Sequence, residues 1–370
     1  MPEQPSPAAP DRDPVERILS LIGAGATVVE TRDGWVSGGS GGDGAVTVSR
    51  LSQLDSLPAA WGDLAGEPDA FATANRAFGP DPVLIRVKPG SVAAPVVVVH
   101  WCAADEAALF PRVAVQAGEN SEVSVLEIVA GPGRCLVAPV TEIDVAPAAR
   151  VSYLHLQMLG QAAWQVALQA SRVGRDATLT SAAVALGGDY ARLRTDSALV
   201  GAGGSTRLLA LYFGAGGQMH DFRTVQDHRA EKSHSDLLYK GVVANTARSV
   251  YSGLIRVEKG ARATNAFQTN RNLVLHEGAH ADSVPNLEIE DNDVRCSHAS
   301  AVGPVSEEQR FYLESRGVPP EVTDRLISLG FLAEVVERLP FPALAPLVTE
   351  ALRDKLAAAE AAEAEREDNR

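Results

Sequence analysis

The sequence predicts a mainly β protein with a helical carboxy terminus. Three observations carry this prediction. From about Pro82 the chain consists of short runs of β-type residues separated by small or polar turns, and no long helix is indicated for about 220 residues. Within that stretch the runs begin at a regular step. After Val305 the apolar residues recur with the period of a helix.

The amino-terminal region, residues 1–80, is poorly patterned and we expect it to be partly disordered. Residues 1–14 are rich in proline, which predicts a disordered start. The run GGSGGDG from Gly38 is typical of a flexible loop.

The central region, residues 81–304, contains seven clear strand candidates, which are VLIRV, VVVVHW, RVAVQ, VSVLEIVA, TEIDV, VSYLHLQ and WQVALQA. A small or polar turn is followed by the alternating pattern of a strand every 28 residues, at Ser121, Ala149, Ala177 and Ser205. The same change occurs at Ala247 and Ala261, which are 14 residues apart. Such a step favours a β-solenoid, whose coils stack strand on strand. A β-sandwich with evenly spaced strands fits the same pattern.

The carboxy-terminal region, residues 305–370, predicts a helical subdomain. Ser306 and Gln309 form a capping box at the start of a helix that Gly317 ends. Two short helices with apolar faces, interrupted at Gly330, are expected to follow, and from Leu344 onward the pattern is that of a charged amphipathic helix. The first face holds Val322, Leu326 and Leu329, and the second holds Phe331, Leu332, Val335, Val336 and Leu339.

Composition excludes several functional classes. A net charge of −14 argues against nucleic acid or an anionic membrane as the main partner. The amino terminus lacks the basic start and apolar core of a signal peptide, and no later stretch is long and apolar enough for a membrane helix, so we expect a cytoplasmic protein. Three cysteines are too few for a secreted disulfide framework, and at least one must be free.

Cys296 and His298 are the best candidates for metal chemistry. They lie two residues apart near the end of a predicted strand, and side chains at that spacing share a face about 7 Å apart. A thiolate and an imidazole can therefore bind one metal ion or cluster. The alternative is a buried apolar cysteine beside a core histidine.

Two other histidine groups are weaker candidates. HEGAH, from His276 to His280, matches the zinc-protease pattern, but the strand-like run before it and Pro285 after it favour a turn over the helix that this chemistry needs. The segment from Gln218 to Asp236 holds His220, His228 and His234 without a regular ligand spacing, and a structural role fits it better.

Long, ordered motifs resemble the SufB/SufD family of iron-sulfur cluster assembly scaffolds, and its SufD branch in particular. They are HSDLLYKGVV, ARSVYSGLIRV, DVRCSHASAVG, EEQRFYLESRG and GFLAEVVERL, with a weaker match at DAFATANRAF. The resemblance implies a right-handed parallel β-helix core. SufB-type proteins carry a cysteine at the position of Thr269 and a glutamate at that of His298, and both differences favour SufD.

The resemblance also implies a function. The chain would be a non-catalytic scaffold that pairs with SufB through the β-helix and binds the SufC ATPase through the carboxy-terminal helices. Iron or a transient cluster would sit at Cys296 and His298, together with ligands from SufB. No GxxxxGK[ST] phosphate loop occurs, so ATP hydrolysis is expected from the partner.

Two alternatives stay open. A SufB-like scaffold could work as a homodimer, which requires a self-complementary core. A carbohydrate-active β-helix enzyme would need paired carboxylates in a groove, and Glu288 and Glu290 share a strand face.

Overall fold

The structure is a computed structural model and describes residues 12–40, 43–53, 62, 64 and 69–368. Its helices are α1 (Asp13–Ile22), α2 (Ala70–Phe78), α3 (Glu307–Ser315), α4 (Pro320–Val336) and α5 (Ala345–Asp368). Its strands are β1 (Thr27–Arg32), β2 (Trp35–Ser40), β3 (Val46–Arg50), β4 (Val83–Val87), β5 (Val96–Trp101), β6 (Ala108–Leu109), β7 (Arg112–Ala117), β8 (Glu122–Gly131), β9 (Leu136–Val137), β10 (Val140–Val145), β11 (Arg150–Leu159), β12 (Trp164–Val173), β13 (Thr178–Ala185), β14 (Tyr190–Leu199), β15 (Ser205–Gly214), β16 (Met219–His228), β17 (His234–Val243), β18 (Arg248–Val257), β19 (Thr264–Val274), β20 (His280–Ile289) and β21 (Val294–Gly303).

The strands form a parallel β-helix of about eight turns. One ten-stranded sheet runs in the order β2-β1-β5-β8-β11-β13-β15-β17-β19-β21, and an eleven-stranded sheet runs β20-β18-β16-β14-β12-β10-β7-β4-β3, with β6 and β9 beside it. Strands alternate between the two sheets along the chain, and successive coils pair in parallel. Mainly β architecture and a solenoid are therefore confirmed, and the β-sandwich alternative is wrong.

The 28-residue step is the length of the coils from β8 to β13, and later coils, measured along the ten-stranded sheet, range from 27 to 31 residues. Arg150 pairs in register with Glu122 in the coil before it and with Thr178 in the coil after it. The turns repeat at the same step, because Asn120, Ala148 and Asp176 all adopt the left-handed conformation, with φ near 55°. Each of these residues directly precedes one of the turn marks predicted from the sequence.

The type of side chain that fills the interior changes along the solenoid axis. The first coils are filled with aliphatic residues such as Val125, Ile143 and Leu179. The middle coils hold a cluster of aromatic rings, which are Tyr212, Phe222, Tyr239 and Tyr251. Toward the last coils the buried side chains become polar, among them Gln226, His228, Gln268, Asn270 and Asn272. The solenoid therefore has its apolar core at its amino-terminal end.

Helices cover the outer face of the ten-stranded sheet. The inward side chains of α4 and α5 share one hydrophobic cluster with that face; they include Leu332, Val335, Val336, Leu352 and Leu356. Within the described residues, no helix is both long and apolar enough to cross a lipid bilayer.

Three local predictions were wrong. Asp13 and Pro14, expected to be disordered, begin α1, while residues 1–11 lie outside the described residues. Gly38 and Gly39, expected in a loop, belong to β2, whereas residues 41 and 42 lie outside the described residues. The predicted break at Gly330 is absent, because α4 continues through it as a single helix that packs on the sheet on both sides of that position.

The amino-terminal region contributes to the solenoid. β1 pairs in parallel with β5, so it extends the ten-stranded sheet by one coil, and β3 pairs antiparallel with β4 in the other sheet. The predicted boundary between residues 80 and 81 falls between α2 and β4.

Candidate functional site

The last coil leaves the solenoid open at its carboxy-terminal end. β20 and β21 are each 10 residues long and form the outer edges of the two sheets. Among the described residues, no strand pairs with their outer sides, and most of their side chains are exposed or half-buried. Edge strands present unpaired N–H and C=O groups that can pair with another chain. We call the surface formed by β20 and β21 the open end.

Cys296 and His298 both lie on β21, as their spacing predicted. Cys296 pairs in register with the buried Ala266, and His298 pairs with the buried Gln268, so both side chains point toward the interior of the coil. Cys296 is half-buried against a small apolar cluster, and His298 is exposed. The two candidate ligands therefore share one face at the rim of the open end.

Thiol chemistry distinguishes Cys296 from the other two cysteines. Cys102 and Cys135 are buried within the solenoid, and burial raises the pKa of Cys102 far above its usual value and that of Cys135 to about 12. Burial also raises the pKa of Cys296, and a hydrogen bond from the Ala266 backbone opposes this shift. Cys296 is a thiol at neutral pH and would lose its proton on binding a metal.

This chain provides an incomplete ligand set. No group of three or more His, Cys, Asp or Glu side chains in the described part of the chain could hold a metal ion. Iron sites in proteins use four or more ligands as a rule. A metal at the rim would need further ligands from outside the chain. Thr269 is half-buried and lies on the opposite face of β19 from Gln268.

Sequence reasoning missed two polar residues beneath this rim. Gln268 is 1% exposed, and both atoms of its carboxamide lack a hydrogen-bond partner. The Ser283 hydroxyl on β20 is also buried without a partner. Gln268 lies one coil before His298 but 30 residues earlier, so the 28-residue step predicted from the sequence would have pointed to Asn270 instead.

The HEGAH segment is a turn between β19 and β20, as predicted. His276 Nδ1 accepts a hydrogen bond from the Asn245 backbone at 2.8 Å, whereas His280 lies 3.1 Å from Asp282. The two imidazoles have separate partners, and this arrangement differs from a zinc-protease site.

Two of the histidines between residues 218 and 236 have surroundings that fit a structural role. His220 is fully buried beside the rings of Tyr212 and Phe222, and burial lowers its pKa to about 3. His228 is held between Ser233 and Ser235 at 2.7 and 2.8 Å, and burial lowers its pKa to about 4. Both imidazoles are neutral and structural.

A second candidate surface lies on α3 and α4. Ser306 caps α3, since its hydroxyl accepts a hydrogen bond from the Gln309 backbone at 3.4 Å. Phe311 is 74% exposed and Tyr312 57% exposed. Tyr312 and Leu326 border a cavity of about 550 Å³ between the two helices. Exposed aromatic rings beside an apolar cavity are typical of a protein-binding surface.

Glu288, one of the two carboxylates considered for a glycosidase site, is paired with an arginine. Glu288 accepts a hydrogen bond from Arg256 Nε at 2.9 Å, and Glu290 follows the end of β20. This geometry lends no support to the glycosidase alternative.

Comparison with known proteins agrees with this architecture. Residues 100–331 match the family model described as "SUF system FeS cluster assembly, SufBD core domain". An iron-sulfur cluster assembly SufBD family protein of Mycobacterium tuberculosis is 37% identical over 230 residues, which are 60% of this chain and 58% of that protein.

Two relatives carry the name iron-sulfur cluster assembly protein SufD. That of Bacillus subtilis is 32% identical over 255 residues, covering 67% of this chain and 58% of its own length. That of Escherichia coli is 32% identical over 223 residues, covering 60% of this chain and 53% of its own. The chain thus matches between half and three fifths of the length of these relatives. With the parallel β-helix and the matched core domain, these findings show that the chain belongs to the SufBD family of iron-sulfur cluster assembly proteins.

Proposed function

We propose that this chain is a SufD-type scaffold subunit that pairs with a SufB-type scaffold through the open end. The observation that carries the proposal is the rim of β21, where Cys296 and His298 face the interior of an unpaired coil. Iron or a nascent cluster is the cargo held there. The role is assembly rather than catalysis by this chain.

Pairing at the open end would complete the site. Two long edge strands can be extended by strands of a partner, with backbone hydrogen bonds supplying affinity. The chain offers one sulfur and one nitrogen ligand, and a partner seated against β20 and β21 would bring its own ligands to the same rim. The nascent cluster would then lie between the two scaffolds, shielded from solvent.

The surface of α3 and α4 would bind an ABC-type ATPase of the SufC kind. Phe311, Tyr312 and Leu326 supply apolar area that this chain leaves exposed. The chain has no phosphate loop, so the ATPase would provide hydrolysis.

Movement of the ATPase would reach the cargo site through two links. α3 begins four residues after β21 ends. Lys240 on β17 fastens α4 to the sheet, because its ammonium donates to the Phe331 carbonyl at 2.8 Å and lies 2.6 Å from Glu334. Displacing α3 would therefore pull on β21, the strand that carries Cys296 and His298, and displacing α4 would strain β17, which lies two strands away in the same sheet.

Co-purification with SufB-type and SufC-type partners tests the proposal. We expect a three-component complex that loses cluster yield on anaerobic reconstitution with His298→Ala but keeps its subunits. Leu326→Glu should release the ATPase and retain the other scaffold, because it puts a charge into the apolar surface. Ala357→Glu on the exposed side of α5 is the matched control and should change neither result. A chain that binds neither partner, or His298→Ala with unchanged yield, would contradict the proposal.

The same open end would also permit a homodimer. Sedimentation of the chain alone separates the two cases, since a SufB-like homodimer would have twice the chain mass without any second scaffold.

A further inference from the structure

Gln268 differs from every other buried glutamine in the described chain. Six glutamines are buried, which are Gln157, Gln165, Gln169, Gln218, Gln226 and Gln268. Five of them hydrogen bond through at least one end of the carboxamide; for example, Gln169 binds Ser181 at 2.9 Å and Gln226 binds Ser235 at 2.7 Å. Gln268 uses neither end. Leaving both polar atoms of an amide buried and unpaired costs stability, so such a residue points to a partner.

The position of Gln268 shows where that partner lies. Gln268 is in register with His298 on the neighbouring strand, and adjacent strands are about 4.8 Å apart. Across the coil it faces Gly253, where an added Cβ would approach the Gln268 amide nitrogen to 2.2 Å. Glycine at this position thus leaves the room that the carboxamide occupies, directly below the rim.

His298 also lacks a hydrogen-bond partner among the described residues. Its imidazole is exposed, and within the described residues it makes no hydrogen bond. A histidine that binds a metal through one ring nitrogen nearly always donates the N–H of the other to an acceptor, which fixes the ring orientation. Gln268 Oε1 is an unused acceptor on the adjacent strand.

We propose that Gln268 is a positioning residue for the cargo site: its carboxamide oxygen accepts a hydrogen bond from one ring nitrogen of His298, so that the other ring nitrogen faces the metal. The inference rests on the proposed function, since it requires His298 to bind iron. It adds a residue one coil away that orients the ligand without touching the metal.

Co²⁺ binding to the full chain, purified with its scaffold partner, tests this inference. The absorption spectrum of Co²⁺ reports both affinity and the ligands around the ion. We expect Gln268→Met, which keeps the volume and removes the acceptor, to weaken Co²⁺ binding about 10- to 100-fold. Its spectrum should approach that of His298→Ala. Gln268→Glu retains an acceptor and should restore the wild-type spectrum, while Gln169→Met, deep in the solenoid, should leave both affinity and spectrum unchanged.

The outcomes separate this inference from the proposed function. If Gln268→Met binds Co²⁺ as the wild type does while His298→Ala does not, the positioning role is wrong and the cargo site stands. If His298→Ala also binds as the wild type does, the cargo site is wrong and this inference falls with it. Should Gln268→Met fail to fold by circular dichroism, Gln268→Glu decides, because an altered spectrum in that variant would overturn the positioning role.

Discussion

A buried carboxylate ties the amino-terminal coils together. Glu127 on β8 accepts hydrogen bonds from Thr141 and Tyr153, both at 2.6 Å, and lies 3.3 Å from His100, which in turn contacts Thr31 at 2.7 Å. Burial alone would raise the pKa of Glu127, but the close contact with the His100 imidazole, the neighbouring His155 and the hydrogen bond from Thr141 outweigh it and hold the value at about 2. The group is ionised in the folded protein, and it links both sheets to β1.

We expect Glu127→Gln to destabilise the protein by about 3 kcal/mol at pH 7, because it removes one partner of a buried charged network. The folded-state pKa lies below that of the unfolded chain. The stabilisation by Glu127 is therefore fully present above pH ~4.5 and is lost as the pH falls toward 2, so the difference from wild type should narrow in that window. Urea denaturation at several pH values measures this. Glu122→Gln, exposed on the same strand, is the control and should stay within about 0.5 kcal/mol of wild type.

The sequence was sufficient to find the rim residues but not the residue below them. Cys296 and His298 follow from strand alternation within one segment. The importance of Gln268 depends on which residues stack above and across from it, namely His298 and Gly253, and on the hydrogen bonds it fails to make. Those facts belong to neighbouring coils, so they require the register between strands.

Among the elements, α5 acts as a strap along the side of the solenoid. Lys355 donates to the Leu186 carbonyl and to Gln218 Oε1, the latter at 2.6 Å, and Asn245 donates to the Ala359 carbonyl at 2.8 Å. These contacts reach the turns of three successive coils. The helix therefore fastens the coils to one another, as the amphipathic pattern from Leu344 allowed.

Lys355 makes this strap sensitive to pH. Burial lowers its pKa from 10.5 to about 7. Because the folded-state value lies below the unfolded one, the buried amine costs stability at pH 7 and below, and the cost disappears as the pH rises toward 10.5. We expect the stability of Lys355→Met relative to wild type to increase as the pH falls from about 10 to 6, because only the wild type carries the cost of a buried charged amine. The loss of its hydrogen bonds to Leu186 and Gln218 is the same at every pH. Thermal unfolding across this range checks it, and parallel stability curves for the two proteins would contradict it.

Sequence patterns predicted an element correctly where the local conformational preference of a few residues decides the structure. The 28-residue step located the turns because each needs a small or left-handed residue, such as Asn120 or Asp176, before the next strand. The prediction of a helix break at Gly330 was wrong because a single glycine destabilises a helix by only about 1 kcal/mol. Packing of Leu332 and Val335 on the sheet outweighs that cost.

At the scale of the whole molecule, the two ends of the solenoid differ in the length and direction of their edge strands. At the amino-terminal end the edges are β2 and β3, which are 5 or 6 residues long and run antiparallel to their neighbours. At the open end, β20 and β21 are twice that length and parallel to theirs. Short edge strands discourage further pairing, whereas long exposed ones invite it. This asymmetry favours strand pairing with another chain at the open end rather than at the amino-terminal end.

Pairing through β21 can be tested by placing charges on its outer face. Ser297 and Ala299 are exposed there, on the side of the strand opposite Cys296 and His298. We expect the double variant Ser297→Lys with Ala299→Lys to fold with unchanged stability, because neither side chain packs in this chain. Its affinity for a partner scaffold should fall about 10-fold or more, because charged side chains on an edge strand, lysine above all, disfavour the addition of a partner strand. Sedimentation or surface-binding measurements give the affinity, with Ala357→Lys on α5 as the charge-matched control. If the double variant still binds the scaffold at wild-type affinity, pairing must use a surface other than β21, and the rim residues would then face solvent rather than a partner.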